Sequence, residues 1–236
     1  MRILGIETST GVCSVALTDG ERMGDELSIA EGLVHSEKLI PLIDRVLKRN
    51  SLPLKRLDGI AVSVGPGSFT GVRIGVATAR AFAQVLDIPL AGVLSLDALA
   101  GRSFAAEMRD GMLVCPVIDA MRREVYTALY SRDKDTLEKH APCGIKDIDE
   151  LMKTLKEKRE DIFFLGEAVD LYGGLIKKTL GGKARIAPEK GRYASALSIA
   201  SIGLKMLGGG YKKSFAEVLP VYVRQPAARE RKGKKI

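Results

Sequence analysis

Residues 57–75, Leu-Asp-Gly-Ile-Ala-Val-Ser-Val-Gly-Pro-Gly-Ser-Phe-Thr-Gly-Val-Arg-Ile-Gly, pass from a buried-type strand through a glycine-rich turn straight into a helix. That order commits this part of the chain to an α/β architecture, in which the helix packs back on the sheet it has just left. The turn is built on Gly65, Pro66 and Gly67. Such a turn lets backbone N–H groups converge at a helix start, where the dipole favours an anion such as phosphate. No lysine follows it, so the motif is not a P-loop. The simpler reading is a tight strand-to-helix turn capped by Ser68 or Thr70. Within the helix, Gly71, Gly75, Ala79 and Ala83 lie four apart and form one shallow ridge, while Arg73 and Arg80 project elsewhere. The ridge suits either packing on its own sheet or helix-on-helix docking, within the chain or across subunits.

A chain of 236 residues with 46% hydrophobic content is large enough for one α/β domain or two small ones. The net charge is +8, and residues 224–236 hold six Lys/Arg against the single acid Glu230, so five of the eight charges sit in this tail. The rest is only mildly basic, and the tail reads as a cationic arm able to meet phosphate by counterion release. Aromatic content of 5% without Trp argues against an unaided stacking platform for single-stranded bases. Cys13, Cys115 and Cys143 are odd in number and suit small core residues better than a disulfide framework. The apolar runs are of strand length and the N-terminus enters a strand directly, so a soluble, cytoplasmic protein without membrane contact is expected.

Strands are expected at residues 3–7, 12–18 and 26–30, then a helix over 36–48, a strand over 59–64, a helix to 86, a strand over 90–94 and a helix to about 107. The pattern then restarts, with a hairpin at 112–118 and 124–130, a helix over 145–157, a strand over 162–165, and helices over 169–179 and 193–207. An offset of about 105 residues between the halves points to a duplicated plan. Residues 1–107 and 108–223 form the two lobes, with the last helix free to return to the first, and 224–236 the tail. Two similar halves imply a cleft between them, where α/β proteins tend to bind ligands.

Several stretches together resemble the TsaB (YeaZ) family: Ile-Glu-Thr-Ser-Thr at 6–10, Val-His-Ser-Glu-Lys-Leu-Ile-Pro-Leu-Ile at 34–43, Gly-Pro-Gly-Ser-Phe-Thr-Gly-Val-Arg-Ile-Gly at 65–75, Ile-Pro-Leu-Ala-Gly-Val-Leu-Ser-Leu-Asp-Ala-Leu-Ala at 88–100, Ile-Asp-Ala-Met-Arg-Arg-Glu-Val-Tyr at 118–126 and Pro-Val-Tyr-Val-Arg at 220–224. The resemblance covers nearly the whole chain. It implies an actin-like, Hsp70-like and sugar-kinase-like ATPase (ASKHA) fold of two related lobes. It further implies a noncatalytic, dimerising subunit in the synthesis of N6-threonylcarbamoyladenosine at position 37 of tRNA. Its partners would be the paralogue TsaD, which carries the metal and the transfer chemistry, the ATPase TsaE, and a second copy of itself, with tRNA met through the complex.

In TsaD-like chains the segment after Gly-Val carries His-x-x-x-His, a spacing that brings two imidazoles to one metal. The matching positions here are Ser95 and Leu99, and a further metal-binding aspartate falls at Ala194. His35 and His140, the only histidines, are far apart in sequence, and no metal site or catalytic residue is expected. By the same resemblance Glu7, Thr8, Ser9, Gly65, Gly67 and Ser68 are the nucleotide-binding candidates. Glu7 stands where kinases of this fold have an aspartate facing Mg²⁺, which is sensitive to such a displacement. Weak or vestigial ATP or ADP binding is therefore expected, with no cofactor required. Asp119, Arg122, Arg123 and Glu124 read first as a charged turn and second as an interface. The partner interface is expected on the first two helices, through Leu39, Ile43, Val46, Gly71, Arg73, Gly75 and Ala79. The alternative from another class is an ATP-dependent small-molecule kinase of the same fold; a metalloprotease ranks last for want of ligands.

Overall fold

Aliphatic runs make Arg2–Glu7 (β1) and Cys13–Asp19 (β2) strands, and the more polar Arg22–Ile29 (β3) joins them at the edge in a meander, since each neighbouring pair is antiparallel. The computed structural model describes residues 1–20, 22–30, 35–102, 109–133, 136–211 and 214–224. Helix α1 (His35–Arg49) follows, then Gly59–Ser63 (β4), α2 (Phe69–Leu86), Leu90–Val93 (β5) and α3 (Ser95–Arg102). Both β4 and β5 join in parallel, giving the order β3-β2-β1-β4-β5. Ser68 caps α2 by accepting a hydrogen bond from Gly71 N, and Asp87 closes it in the left-handed conformation at φ 53°.

The second half repeats the plan. Leu113–Asp119 (β6), Glu124–Asp133 (β7) and Thr136–Asp147 (β8) form an antiparallel meander. They are followed by α4 (Ile148–Lys156), Ile162–Leu165 (β9), α5 (Ala168–Leu180), Ala184–Ile186 (β10) and α6 (Ala196–Gly208). With β9 parallel to β6 and β10 parallel to β9, the second sheet reads β8-β7-β6-β9-β10, strand for strand the order of the first.

Each half places two helices on its own sheet and sends the third to the other. Helices α1 and α2 pack on the first sheet, and α4 and α5 on the second. Helix α6 lies on β1, β2, β4 and β5, while α3 lies on β6, β7 and β8, and the two exchanged helices touch. Close approach of α6 is built in: a Cβ on Gly5 would sit 2.2 Å from the Ala196 carbonyl oxygen, and one on Gly203 2.3 Å from Ala61 Cβ. The exchanged pair ties the two sheets together and leaves their turn ends facing across a cleft.

Two strands escaped the pattern. β8 is an edge strand whose pairing with β7 is irregular, and it contains Pro142, which edge strands tolerate because a missing N–H costs them no ladder bond. Its last residues, 145–147, were expected in a helix; α4 instead begins at Ile148, where the Asp147 side chain accepts from the N–H groups of Asp149 and Glu150. β10 has three residues, too few for periodicity to register.

Candidate docking surface and interlobe cleft

The glycine turn is bolted to the turn after β1. Ser68 N donates to Ser9 O at 2.7 Å, and Thr8 Oγ1 donates to Gly71 O at 2.8 Å. Gly67, at φ 153°, lies so close that a Cβ there would sit 2.1 Å from Ser9 O. Gly75 is placed likewise: its Cβ would meet Thr8 Oγ1 at 2.2 Å. The chain's own β1–β2 turn therefore fills the space over the start of α2, and two N–H donors there, of Ser68 and Gly71, are taken by Ser9 O and Ser68 Oγ.

Glu7 is fully buried. Ser9 N donates to its Oε1 at 2.5 Å, whereas Oε2 has no partner among the described residues. Burial pushes its carboxyl above the ordinary glutamate range.

Between the lobes lies a cavity of about 700 Å³, walled by Thr10, Gly11, Gly67, Ser68 and Phe69 on one side and by Asp119, Met121, Arg122, Tyr126, Glu167 and Arg224 on the other. Of the six nucleotide-binding candidates only Gly67 and Ser68 line it. Glu7, Thr8 and Ser9 are sealed at 0% exposure, and Gly65 is covered by Val221, whose N–H binds Val64 O. The far wall is a hairpin tip in which Met121, Arg122 and Arg123 are all left-handed, at φ 62°, 56° and 62°. For non-glycine residues this costs roughly 1–2 kcal/mol each. Asp119 accepting from Met121 N, an Arg123–Asp149 ion pair at 2.7 Å and an ion pair between Arg224 and Glu124 hold it. No residue type in 121–123 signals such a turn, so sequence reasoning saw only its charge. Glu167, inside the cleft, is also pushed up by burial.

The helix faces require a correction. Leu39, Ile43 and Val46 are 0%, 2% and 0% exposed and belong to the core under the first sheet, so they are spent within the chain. Gly71, Gly75 and Ala79 are buried too, facing β1 and β4. The small-residue ridge is therefore what seats α2 on its own sheet. A second ridge runs along the opposite side, two positions or about 200° away. It comprises Arg73, Ala77, Ala81 and Val85, again four apart and all exposed, Val85 at 82%. On α1, which touches α2, Ile40 at 50% exposure, Pro41, Asp44 and Lys48 are also exposed. Arg73 alone of the expected interface residues faces outward. Its guanidinium lies 3.7 Å over the Phe69 ring and donates from Nε to Tyr222 Oη at 2.7 Å.

Ser95 and Leu99 are buried at 0% exposure in α3, with Ser95 Oγ 2.9 Å from Ser63 Oγ; Ala194 is buried as well. His140 is exposed and pairs with Ser131 Oγ, and the His35 side chain lies outside the described residues. Among the described residues no group of three or more His, Cys, Asp or Glu is placed to hold a metal ion. Burial raises the thiols of Cys13, Cys115 and Cys143 to about 11, 12 and 11. The tail expected at 224–236 lies outside the described residues apart from Arg224, as does the end of the helix expected to reach 107.

The family model for TsaD, tRNA N6-adenosine threonylcarbamoyltransferase, matches residues 32–231. A curated relative from Bacillus subtilis, tRNA threonylcarbamoyladenosine biosynthesis protein TsaB, is 37% identical over 210 residues, which is 86% of this chain and 87% of that protein. The chain belongs to the TsaB family. The Escherichia coli TsaB is 34% identical over 135 residues, 57% of each chain. YeaZ from Pseudomonas aeruginosa superposes with a TM-score of 0.76 over 94% of this chain and 99% of that one, at 24% identity. A polyphosphate/ATP-glucomannokinase from Arthrobacter follows the same fold at TM-score 0.54 and 11% identity, covering 86% of this chain and 99% of that one. The TsaB fold of two lobes thus has the plan of sugar kinases, as the family resemblance implied. No helix of the described residues is long and apolar enough to cross a membrane.

Proposed function

We propose that this chain is the noncatalytic, dimerising subunit of the tRNA threonylcarbamoyltransferase complex, docking to a TsaD-type partner through α1 and α2. The outward ridge of α2 carries the reading: Ala77 and Ala81, small and exposed between Arg73 and Val85, let a partner helix come close, and Ile40 on α1 adds apolar area. The same face serves association with a second copy, and the ATPase TsaE joins the assembly elsewhere. Residence in the cytoplasm follows from a tRNA substrate.

No cofactor is required for this role. Any ATP or ADP binding is weak or vestigial on this reading, which is supported by Ser9 O occupying a donor at the start of α2, by the lack of space beside Gly67 and by the burial of Glu7. The kinase alternative retains the interlobe cavity in its favour, lined by Thr10 and Gly11 of the first turn and Gly67 and Ser68 of the glycine turn, but Glu7 stays buried outside that lining.

The test is the double substitution Ala77→Arg with Ala81→Arg. Sedimentation velocity of the variant mixed with its TsaD-type partner is expected to show free chains, at a melting temperature within about a degree of the parent because both positions face solvent. A complex that survives both arginines rules out this face.

A further inference from the structure

We propose that the rim of the interlobe cleft is a contact surface for single-stranded RNA, with base stacking on Phe69 and Tyr222 and phosphate held by Arg122. The inference rests on the assignment to a tRNA-modifying complex and adds where this chain touches the nucleic acid. On one side of the cleft mouth Phe69, 46% exposed at the first turn of α2, lies 5.3 Å from the ring of Tyr222, itself 39% exposed. Arg73 backs both rings, with its guanidinium 3.7 Å from the Phe69 centroid and 5.6 Å from that of Tyr222. Guanidinium-backed rings with an open face suit sequence-tolerant base stacking.

On the other side the left-handed hairpin tip lifts Met121, 70% exposed, and Arg122 into solvent. Arg122 has no ion pair among the described residues, in contrast to Arg123 and Arg224. Phe69, Met121 and Arg122 line the same cavity. Asp119 and Glu167 on its inner wall repel phosphate, so the backbone of a bound strand stays at the rim. Beyond Arg224 the sequence continues with Arg229, Arg231, Lys232, Lys234 and Lys235 against one acid, joined to the chain beside this rim. This charge favours RNA over a protein partner, whose contact would be depleted of charge at its centre.

The test uses the full chain with its TsaD-type partner, a fluorescein-labelled unmodified tRNA transcript, and a fully duplex RNA of equal length as the comparison. Phe69→Ala is expected to weaken tRNA binding about tenfold and duplex binding far less. Arg122→Ala is expected to lower the salt slope of log K by about one. Unchanged tRNA affinity in both variants, or equal losses for tRNA and duplex, overturns the proposal. So does loss of partner association in Phe69→Ala by sedimentation with tRNA affinity retained, which would make the rim a protein interface. Each of these results leaves the subunit assignment standing; that assignment fails instead if the unsubstituted pair does not modify tRNA.

Discussion

Glu7 shows how one carboxyl can report on what the first turn is for. Burial raises its folded pKa above the unfolded value of about 4.3. Its contribution is then fully present below the unfolded value and is lost as pH rises through the folded one, because ionising it inside the lobe is unfavourable. Glu7→Gln keeps the acceptor for Ser9 N and removes the ionisation. The melting temperature of the variant relative to the parent is expected to climb between pH 4 and pH 8; a difference that stays flat or falls would mean that Glu7 is held as an anion, as a cation site would require. Glu7, Ser95, Leu99 and Ala194 stood out in the sequence through the family resemblance that aligns them. The burial of Glu7 was not legible, because the turn that follows it is covered by α2, where Thr8 meets Gly71 and Gly75 more than 60 residues later, a contact that no local pattern encodes.

At the scale of elements, α2 carries two four-residue ridges with opposite uses. The glycines draw the eye because they have no side chain, yet they are inward, where the helix must clear Thr8. Gly75→Leu is therefore expected to destabilise the isolated chain by at least about 1–3 kcal/mol through overpacking, read as a lowered melting temperature without any partner present. An unchanged melting temperature would show that the ridge is free and restore it as a docking face. The helix was plain in the sequence and its cap was narrowed to Ser68 or Thr70, of which the structure uses Ser68; its rotation on the sheet was not legible. Two four-residue ridges separated by about 200°, each with small residues in it, are not told apart by a 3.6-residue period, and the sheet decides which is buried. A longer edge strand with Pro142 and a three-residue strand fell below the same signal.

For the whole molecule, duplication is the organising fact. Two sheets of identical strand order exchange their third helices, so each lobe's core is completed by the other half. This plan was visible as a repeat of hairpin, helix, strand and helix, although the exchange was visible only for the last helix, and then only as an option. Here the space over the glycine turn is filled by the chain's own backbone, and the helix face that remains open carries Ala77 and Ala81. The claim that follows is that this chain contributes by assembly and leaves the transfer to a partner. The most direct measurement is threonylcarbamoyl transfer to unmodified tRNA, assayed with this chain alone, with the TsaD-type partner alone, and with the two mixed. Transfer in the mixture and none with this chain alone is the expected result; transfer by this chain unaided would contradict it.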